Sequence, residues 1–519
     1  MGKTAPGSRL TSYPLAGKIK LDESVVAAAA YRKVGERYLI TNDMGYHAQL
    51  TPEAFHSYLE GKLDRGSNLW QELQSKGFIR NYLDFNGLIR TYQQKHSYLF
   101  TASPLHIVVA TLRCNHKCLY CHSSVVGMDQ TDKDMTLETA KKTVDFIFQC
   151  PSPTLIIEFQ GGEPTLNWPV IKFITRYAKL KNQAAQRNLF ITMVSNFSLL
   201  DEEKIDFIVK EKIGICTSLD GPAELHNKNR LFTGGSSHEL TVERLRQFQE
   251  KARRDENGVA GYFQPGALLT TTRYSFDHAE EIVDEYLRLG MPGIFVRQLS
   301  PIGFARRSWK TIGYSVEEFL AFYRKMLDHI LKVNEEGTVF FERAALIALT
   351  KILRQRDPGY VDLRSPSGAA LGVVAYNYNG DVYTGDEARM LAQEDGDTFF
   401  SVGNVGKSSY NDILDHQVTR AAAVATLLEN QPMCSQCVYK PVCGLDSVYN
   451  RQTQNNLWGH MPTNERCRLY MGLFDIIFEK LQDERAAKVF DRWLETAEPS
   501  AVPAPRPEAA APAQGGQPT

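Results

Sequence analysis

The stretch "CNHKCLYC", which begins at Cys114, places three cysteines within eight residues and supplies no fourth. A structural zinc site normally closes with four protein ligands, whereas a catalytic metal centre keeps one position open. Three thiolates on an iron–sulfur cluster would leave one iron without a protein ligand. The alternatives are a zinc site completed by His116 or His122, or cysteines that only pack in the core. The spacing of Cys114, Cys118 and Cys121 favours a metal centre with an open position.

A second group of cysteines lies near the C-terminus, where Cys434, Cys437 and Cys443 have the spacing C-x2-C-x5-C and Cys467 follows. The chain has 9 cysteines. An odd number concentrated in two clusters argues against a disulfide framework. Four thiolates suit a zinc ion or a fully ligated iron–sulfur cluster. The C-terminal group is therefore predicted to be a second, closed metal site.

The overall charge excludes some classes of partner. Lys plus Arg number 59 and Asp plus Glu number 60 among the 519 residues. This balance gives no electrostatic reason to expect binding to nucleic acid or to an anionic membrane. No apolar run of about 18 residues could span a bilayer, and the first residues lack the apolar core of a signal peptide. These features predict a cytoplasmic protein.

From residue 104 onward, short apolar runs rich in β-branched residues alternate with amphipathic stretches. This alternation is typical of parallel strands joined by crossover helices. Six repeats over about 200 residues suit an α/β fold with a partial (β/α)6 barrel better than a full eightfold barrel. The predicted strands are LHIVVATLR, TLIIEFQ, LFITMVSN, GICTSLDG, GALLTTT and GIFVRQL, and the predicted helices span 136–149, 167–181, 201–211, 239–255 and 277–289.

The rest of the chain divides into units of different character. Residues 13–100 carry two short strands and two helices, with predicted N-caps at Thr51 and Asn68, and indicate a small α+β, winged-helix-like domain. An N-terminal cap on the main domain is the alternative. The other predicted segments are a disordered start at 1–12, the partial barrel at 101–335, a C-terminal cluster domain at 336–497 with a hairpin turning at Asn379-Gly380, and a disordered Ala/Pro-rich tail at 498–519.

Two motifs together resemble the radical S-adenosylmethionine (SAM) superfamily. They are C-x3-C-x2-C with Tyr120 before the last cysteine, and "GGEP" at 161–164 after the second predicted strand. The resemblance implies that Cys114, Cys118 and Cys121 hold a [4Fe–4S] cluster whose open iron chelates SAM. It also implies reductive cleavage of SAM to a 5′-deoxyadenosyl radical, which removes a hydrogen atom from the substrate.

The same resemblance implies which residues form the SAM pocket. Gly161 and Gly162 are expected to let the backbone approach closely, and Glu163 is expected to supply an anion for the SAM ammonium group. The predicted cofactor-binding residues are Tyr120, Gly161, Gly162, Glu163, Pro164, Ser195, Asn196, Ser218 and Arg230. For Asn196 and Ser218, ordinary capping of a strand end is the alternative. Arg297 is predicted to pair with a carboxylate or to form a structural salt bridge.

The C-terminal cysteines, with "VYKPVCG" among them and "NGDVYTGDE" before them, resemble the auxiliary-cluster domain called SPASM. That domain in its full form has seven cysteines, and this chain has Gly385 and Ser447 where the family has cysteines. The resemblance therefore implies one auxiliary [4Fe–4S] cluster, held by Cys434, Cys437, Cys443 and Cys467. Asp386 is the candidate proton acceptor by likeness to sulfatase-maturase-like relatives; a turn carboxylate exposed to water is the alternative.

The combination of "RCNHKCLYCHSS", "EFQGGEPTLNW", "VRQLSPIGFA" and a single-cluster C-terminal domain resembles the radical maturase of the His-Xaa-Ser peptide system. It implies modification of a ribosomally made peptide. The strand-rich, winged-helix-like pattern of residues 13–100, ahead of a barrel that does not need it, predicts that this unit recognises the peptide by adding a strand to an exposed edge. The implied partners are that peptide, a second radical SAM maturase, and a one-electron reductant of flavodoxin or ferredoxin type. The alternatives are a sulfatase-maturase-like oxidase that makes formylglycine, and a non-catalytic iron–sulfur or zinc scaffold that binds a peptide.

Overall fold

The computed structural model describes residues 21–254 and 265–497. The segments predicted to be disordered, 1–12 and 498–519, lie outside the described residues. Within the described residues, no helix is long and apolar enough to cross a membrane.

The N-terminal unit is a three-stranded antiparallel sheet, β1 (Ala30–Val34), β2 (Arg37–Thr41) and β3 (His47–Leu50), followed by three helices. The helices are α1 (Pro52–Leu59), α2 (Asn68–Ser75) and α3 (Phe85–Lys95). Sequence reasoning missed β1 and α3.

The helix caps of this unit differ from prediction at one of two positions. The Thr51 side chain accepts a hydrogen bond from the Ala54 backbone N–H at 3.2 Å, as predicted for the start of α1. The second prediction was wrong by one residue: Ser67 caps α2, accepting from the Trp70 backbone N–H at 3.2 Å. Either side chain can cap a helix, and the chain here is extended at Ser67 rather than at Asn68.

The central unit is built on a nine-stranded sheet in which six parallel strands form the predicted barrel core. The order across this sheet is β12-β10-β8-β7-β6-β4-β14-β15-β16. Its strands are β4 (Leu105–Thr111), β6 (Thr154–Gly161), β7 (Asn188–Val194), β8 (Gly214–Ser218), β10 (Gly266–Thr270), β12 (Val296–Arg297), β14 (Val373–Tyr376), β15 (Asp381–Tyr383) and β16 (Ser401–Asn404). Two separate two-stranded sheets pair β5 (His116–Cys118) with β9 (Arg230–Phe232) and β11 (Gly293–Ile294) with β13 (Phe341–Glu342).

Helices cover this sheet because its strands are apolar on both faces; in β4, six of the seven residues are buried. The helices are α4 (Leu137–Ile147), α5 (Trp168–Ala185), α6 (Glu202–Lys210), α7 (Ala223–Asn229), α8 (Ser237–Arg254), α9 (Ala279–Arg288), α10 (Phe304–Ile312), α11 (Val316–Glu335), α12 (Arg343–Arg354), α13 (Asp386–Asp395), α14 (Tyr410–Asp415), α15 (Gln417–Ala425), α16 (Ser447–Gln454), α17 (Glu465–Lys480) and α18 (Glu484–Ala497). The predicted α/β class and the parallel strands are confirmed.

The C-terminal unit joins the same sheet instead of standing apart. β14 pairs in parallel with β4, and the hairpin β14–β15 turns at Gly380, whose φ is +87°. The predicted turn at Asn379-Gly380 is confirmed. The addition of β14, β15 and β16 beyond β4 was not predicted, because a short strand does not encode which edge it will join.

Candidate functional site

The first cysteine group lies in the loop after β4, at the carboxyl end of the parallel sheet. Cys118 closes the short strand β5, which pairs with β9 so that Cys118 lies opposite Arg230. Arg113, just before the loop, forms an ion pair with Asp134 at 2.6 Å. The loop is therefore held at both ends. Its pairing with β9 brings together residues more than a hundred positions apart, which sequence reasoning missed.

A buried polar cluster lies behind this loop. The Tyr120 hydroxyl donates to Asp220 Oδ2 at 2.9 Å and accepts from Arg230 Nη1 at 2.8 Å. All three residues are buried. Burial raises the pKa of Asp220 to about 6, although the Arg230 guanidinium opposes that rise. Tyr120 and Arg230 thus have protein partners that hold the loop; their predicted contact with SAM stays a prediction.

The two glycines of "GGEP" lie where the end of β6 meets the start of the cysteine loop. A Cβ on Gly161 would lie 2.3 Å from Thr111 O, and one on Gly162 would lie 2.1 Å from Arg113 O. Gly161 also has a φ of +124°, which favours glycine. Close backbone approach was predicted at both glycines, and the atoms that they approach are backbone oxygens at the end of β4 and just before the cysteine loop.

Glu163 is fully buried and its carboxylate accepts four hydrogen bonds. Oε1 accepts from Ser195 Oγ at 2.8 Å and from the Thr165 hydroxyl and backbone N–H. Oε2 accepts from the Asn196 backbone N–H at 2.7 Å. Burial raises the pKa of Glu163, and these donors offset only part of that rise. Glu163 thus ties β6 to the end of β7; the expected contact with an ammonium group stays a prediction.

Asn196 connects β7 with the cysteine loop. Its side-chain amide donates to Asn115 Oδ1 at 2.9 Å and lies 3.0 Å from His116 Nδ1. Pro164 begins a short 3₁₀ helix immediately after Glu163. The structure therefore brings the predicted residues of three strand ends together: the cysteine loop after β4, "GGEP" after β6, and Ser195 with Asn196 after β7.

Ser218 ends β8 and is half-buried, one strand further from the cysteine loop. Arg297 ends β12 and is half-buried; the Glu387 and Asp362 carboxylates and the Tyr360 phenol lie close enough to raise the pKa of its guanidinium. Ser218 and Arg297 therefore lie at the carboxyl ends of β8 and β12, at the same edge of the sheet but on strands farther from the cysteine loop.

Asp386 begins α13 and is buried, so the alternative of a turn carboxylate exposed to water is wrong. Its Oδ1 accepts from Arg389 Nε at 2.9 Å, and Arg389 itself is fully buried. Arg389 Nη1 also reaches Ser123 O at 3.4 Å, just after the cysteine loop. The pair therefore joins α13 to the loop, and this partner was not predicted for Asp386.

Glu387 is a neighbour that sequence reasoning passed over. Burial, with the Asp362, Asp446 and Asp386 carboxylates close by, raises its pKa to about 7. The only signal in the sequence was its position beside Asp386. A group with this pKa changes its protonation near neutral pH, which is a common property of residues in active sites.

The four C-terminal cysteines, predicted to form one site, line a single cavity with about 460 Å³ of empty space, part of it open to solvent. Burial and the other cysteine sulfurs raise the pKa of Cys434 to about 12. The fold brings Cys467 into the same cavity as Cys434, Cys437 and Cys443. A cavity walled by four thiols fits a cluster ligated only by cysteine.

The spacing of these donors bears on the kind of metal centre. Among the described residues, no group of three or more His, Cys, Asp or Glu side chains lies close enough together to hold a single metal ion. Both donor sets consist of cysteines, the ligand type that binds iron–sulfur clusters.

Comparison with known proteins identifies one domain of the chain. The model described as "Radical SAM superfamily" matches residues 108–266, the segment that runs from β4 to the start of β10. The chain contains a radical SAM domain. Radical SAM domains use a [4Fe–4S] cluster and SAM, which are therefore cofactors of this chain.

Sequence relatives of this radical SAM protein include a cysteine-type anaerobic sulfatase-maturating enzyme of Clostridium perfringens (strain ATCC 13124). It is 30% identical over 155 residues, which are 28% of this chain and 41% of the relative. The alignment thus spans less than half of that relative's length. The corresponding enzyme of Clostridium novyi is 20% identical over 72% of this chain and 93% of its own length.

Solved structures share the fold over most of the chain. The structure titled native anSMEcpe with bound AdoMet has a TM-score of 0.60 and 18% identity, and covers 75% of this chain and 100% of its own. Streptococcus suis SuiB bound to the precursor peptide SuiA has a TM-score of 0.50 and 13% identity, and covers 86% of this chain and 100% of its own. These likenesses show the fold of this radical SAM protein.

Proposed function

We propose that this radical SAM protein cleaves SAM reductively and modifies a ribosomally made peptide or protein. The observation that carries the proposal is the convergence of Cys114, Cys118 and Cys121 with the "GGEP" and Ser195-Asn196 segments at one edge of the sheet. The cluster bound there would supply one electron to SAM and leave a 5′-deoxyadenosyl radical. The chain's own residues hold the cysteine loop against β6 and β7.

The four cysteines that line the C-terminal cavity are proposed to bind one auxiliary [4Fe–4S] cluster. Because all four thiolates would be ligands, no iron would be free for substrate, so the cluster would relay electrons or support the fold. A relay needs an external one-electron reductant, of flavodoxin or ferredoxin class. Reduced clusters and thiolates require a reducing compartment, and the cytoplasm is the proposed location.

The proposed substrate is a peptide with His-Xaa-Ser repeats, and the proposed partner is a second radical SAM maturase. The N-terminal unit supports the choice of a peptide through α3, none of whose residues is buried. Phe85 and Ile89 on that helix are 67% and 53% exposed. An exposed apolar helix face is typical of a surface that binds a polypeptide.

A formylglycine-forming oxidase that acts on a sulfatase is the second candidate. The observation that favours it is the relation to anaerobic sulfatase-maturating enzymes in both sequence and fold. Mass spectrometry can distinguish the two candidate activities. A His-Xaa-Ser repeat peptide and a sulfatase-derived Cys or Ser peptide would be incubated with the enzyme, and the modified peptide identifies the activity.

The test of the shared activity is anaerobic reconstitution followed by iron, sulfide and zinc counts and an assay for 5′-deoxyadenosine. We expect about eight irons per chain for two four-iron clusters and deoxyadenosine that depends on reductant. Replacing Cys114, Cys118 and Cys121 by Ala should halve the iron and abolish deoxyadenosine, while the C-terminal site stays loaded. Bound zinc without deoxyadenosine would instead support the non-catalytic scaffold.

A further inference from the structure

A second cavity lies on the other side of the C-terminal cluster loop, where that loop meets the N-terminal unit. It encloses about 420 Å³ of empty space, part of it open to solvent. Cys443 and Lys440 line both this cavity and the four-cysteine cavity, so they form the wall between the two. Four basic side chains face it from different parts of the chain: Lys95, Lys351, Arg364 and Lys440.

Two of these cations have carboxylate partners. Lys440 pairs with Asp43 at 2.7 Å, and Arg364 Nε donates to Asp357 at 2.8 Å. The remaining acidic side chain in the lining, Glu429, accepts from the Ser365 hydroxyl at 3.5 Å and lies close enough to Lys95 to favour the charged ammonium.

The other two cations form no ion pair within the described residues. The Lys95 ammonium donates to the Asp43 backbone carbonyl at 3.3 Å, and the buried Lys351 ammonium donates to the Leu363 backbone carbonyl. Asp43 and Glu429 lie near enough to favour the Lys95 charge, and Asp357 does the same for Lys351, but none of these carboxylates is within ion-pair distance, so burial is only partly compensated. Burial, with the facing Lys351 ammonium, lowers the pKa of Lys95 to about 7.

Arg364 supplies the observation that points to a ligand. Its side chain is only 5% exposed, and its Nη1 has no hydrogen-bond partner among the described residues. A buried guanidinium nitrogen without an acceptor costs free energy, and native proteins rarely leave one unsatisfied. Arg364 lines the cavity together with two ammonium groups that form no ion pair within the described residues, and these cations lie close enough to repel one another, which is the donor set of an oxyanion site.

We propose that this cavity binds an oxyanion, either a carboxylate carried by a polypeptide or a free phosphate, between Lys95, Lys351 and Arg364. Both sources present the same chemistry, two or more oxygens that accept from ammonium and guanidinium donors. Since the cavity lies between the N-terminal unit and the cluster loop, an occupant would contact both. The site is separate from the SAM site and does not depend on the choice of substrate.

The test uses the full-length protein with both clusters reconstituted, at pH 7 and constant ionic strength. Isothermal titration calorimetry and thermal unfolding are measured with sodium phosphate, with N-acetyl-aspartate amide, and with its uncharged asparagine analogue. We expect saturable binding of the anions, a higher unfolding temperature, and no effect of the asparagine analogue. In a direct competition, the anion that binds more tightly shows whether the site takes a polypeptide carboxylate or free phosphate.

Two variants locate the binding. Lys351→Met and Lys95→Met should each weaken anion affinity at least tenfold; Lys95 is half-buried at the rim, so its variant should fold even if Lys351→Met does not. Lys142→Met, at an exposed residue of α4 that pairs with Glu138, is the matched control and should bind as the parent does. Equal affinity in Lys95→Met and the control would overturn the proposal. So would anion binding that disappears once the clusters are loaded, because the cations would then serve the cluster alone.

Discussion

At the residue scale, Gly162 shows how little space separates β6 from the cysteine loop. A Cβ there would lie 2.1 Å from Arg113 O, a backbone atom that cannot rotate away. We expect Gly162→Ala to lower the free energy of unfolding by about 1–3 kcal/mol, as overpacking does, and to reduce deoxyadenosine at least tenfold by moving the loop. Chemical denaturation and the deoxyadenosine assay measure both effects.

The control for this prediction is Gly266→Ala in strand β10 of the same sheet, where the nearest atom would be Cys216 Sγ at 3.4 Å, an ordinary contact. That variant should keep both its stability and its deoxyadenosine yield. If Gly162→Ala keeps the parent's free energy of unfolding and deoxyadenosine yield, the loop can shift without consequence and the prediction is wrong.

Because Asp386 forms an ion pair with Arg389, an Asp386→Asn variant affects the stability of the fold as well as any proton transfer. Removing the carboxylate leaves a fully buried guanidinium without its partner, so we expect a loss of about 3–5 kcal/mol of stability. If Asp386 is also a proton acceptor, the variant should still form deoxyadenosine but little peptide product, which liquid chromatography can quantify. The double variant Asp386→Asn/Arg389→Met removes the unpaired charge. Product at the parent rate in that double variant would show that Asp386 serves only the ion pair.

Glu387 predicts a dependence of stability on pH. Its pKa of about 7 lies above the ordinary value of 4.5, so between these values the folded protein holds a proton that the unfolded chain has released. Stability should therefore fall as pH rises from about 5 to 8, by about 1–3 kcal/mol. Urea denaturation at both pH values should show this difference, and Glu387→Gln should remove most of it. An identical difference in the Gln variant would assign the slope to other groups.

At the element scale, the pairing of β5 with β9 and the Tyr120 cluster behind it hold the cysteine loop. Tyr120→Phe would leave the buried Asp220 and Arg230 without the hydroxyl between them. We expect a loss of about 1–3 kcal/mol of stability, and faster loss of iron from the first site under chelator challenge. Tyr177→Phe, which removes a hydroxyl bonded to Asp145 on α4, should not change iron retention. Equal iron retention in the two variants would contradict a role of Tyr120 in holding the loop.

At the scale of the whole molecule, the N-terminal unit packs against the C-terminal helices. Thr41 Oγ1 donates to Val438 O at 2.7 Å, Gln49 Nε2 donates to Phe478 O at 3.0 Å, and Arg32 pairs with Asp475 at 3.1 Å. Deleting residues 13–100 would expose this interface. Surface substitutions on α3 therefore test peptide recognition more cleanly than a truncation does.

Phe85→Ser/Ile89→Ser should weaken binding of the substrate peptide at least tenfold, because it removes the exposed apolar face of α3. Deoxyadenosine formed without peptide should not change, since both side chains are mostly exposed and make none of the contacts that hold the cysteine loop. Fluorescence anisotropy with labelled peptide measures the affinity. Unchanged affinity would favour the alternative of residues 13–100 as a structural cap.

Much of the α/β architecture was predictable because its signals are local. Buried parallel strands are continuous apolar runs, and crossover helices are amphipathic, so both could be read from short windows. The elements found in this way are the parallel strands β4, β6, β7, β8, β10 and β12 and the helices α4, α5, α6, α8 and α9. β1, α3 and β5 were missed because they are short or mostly exposed. Their conformations depend on partners, such as β9 for β5, that lie far away in the chain.

The sequence by itself determined the chemistry of the two cysteine groups, because donor type and close spacing are properties of the chain, and it placed the first group after a strand end. Only the tertiary structure decided which residues contact the cysteines and the other side chains of the two sites. Glu163 lies against Ser195 and Asn196, Asp386 against Arg389, and the fourth thiol, Cys467, beside the other three. The physical reason is that hydrogen bonds and ion pairs act over a few ångströms, and such distances between remote residues exist only once the sheet and its helices have packed.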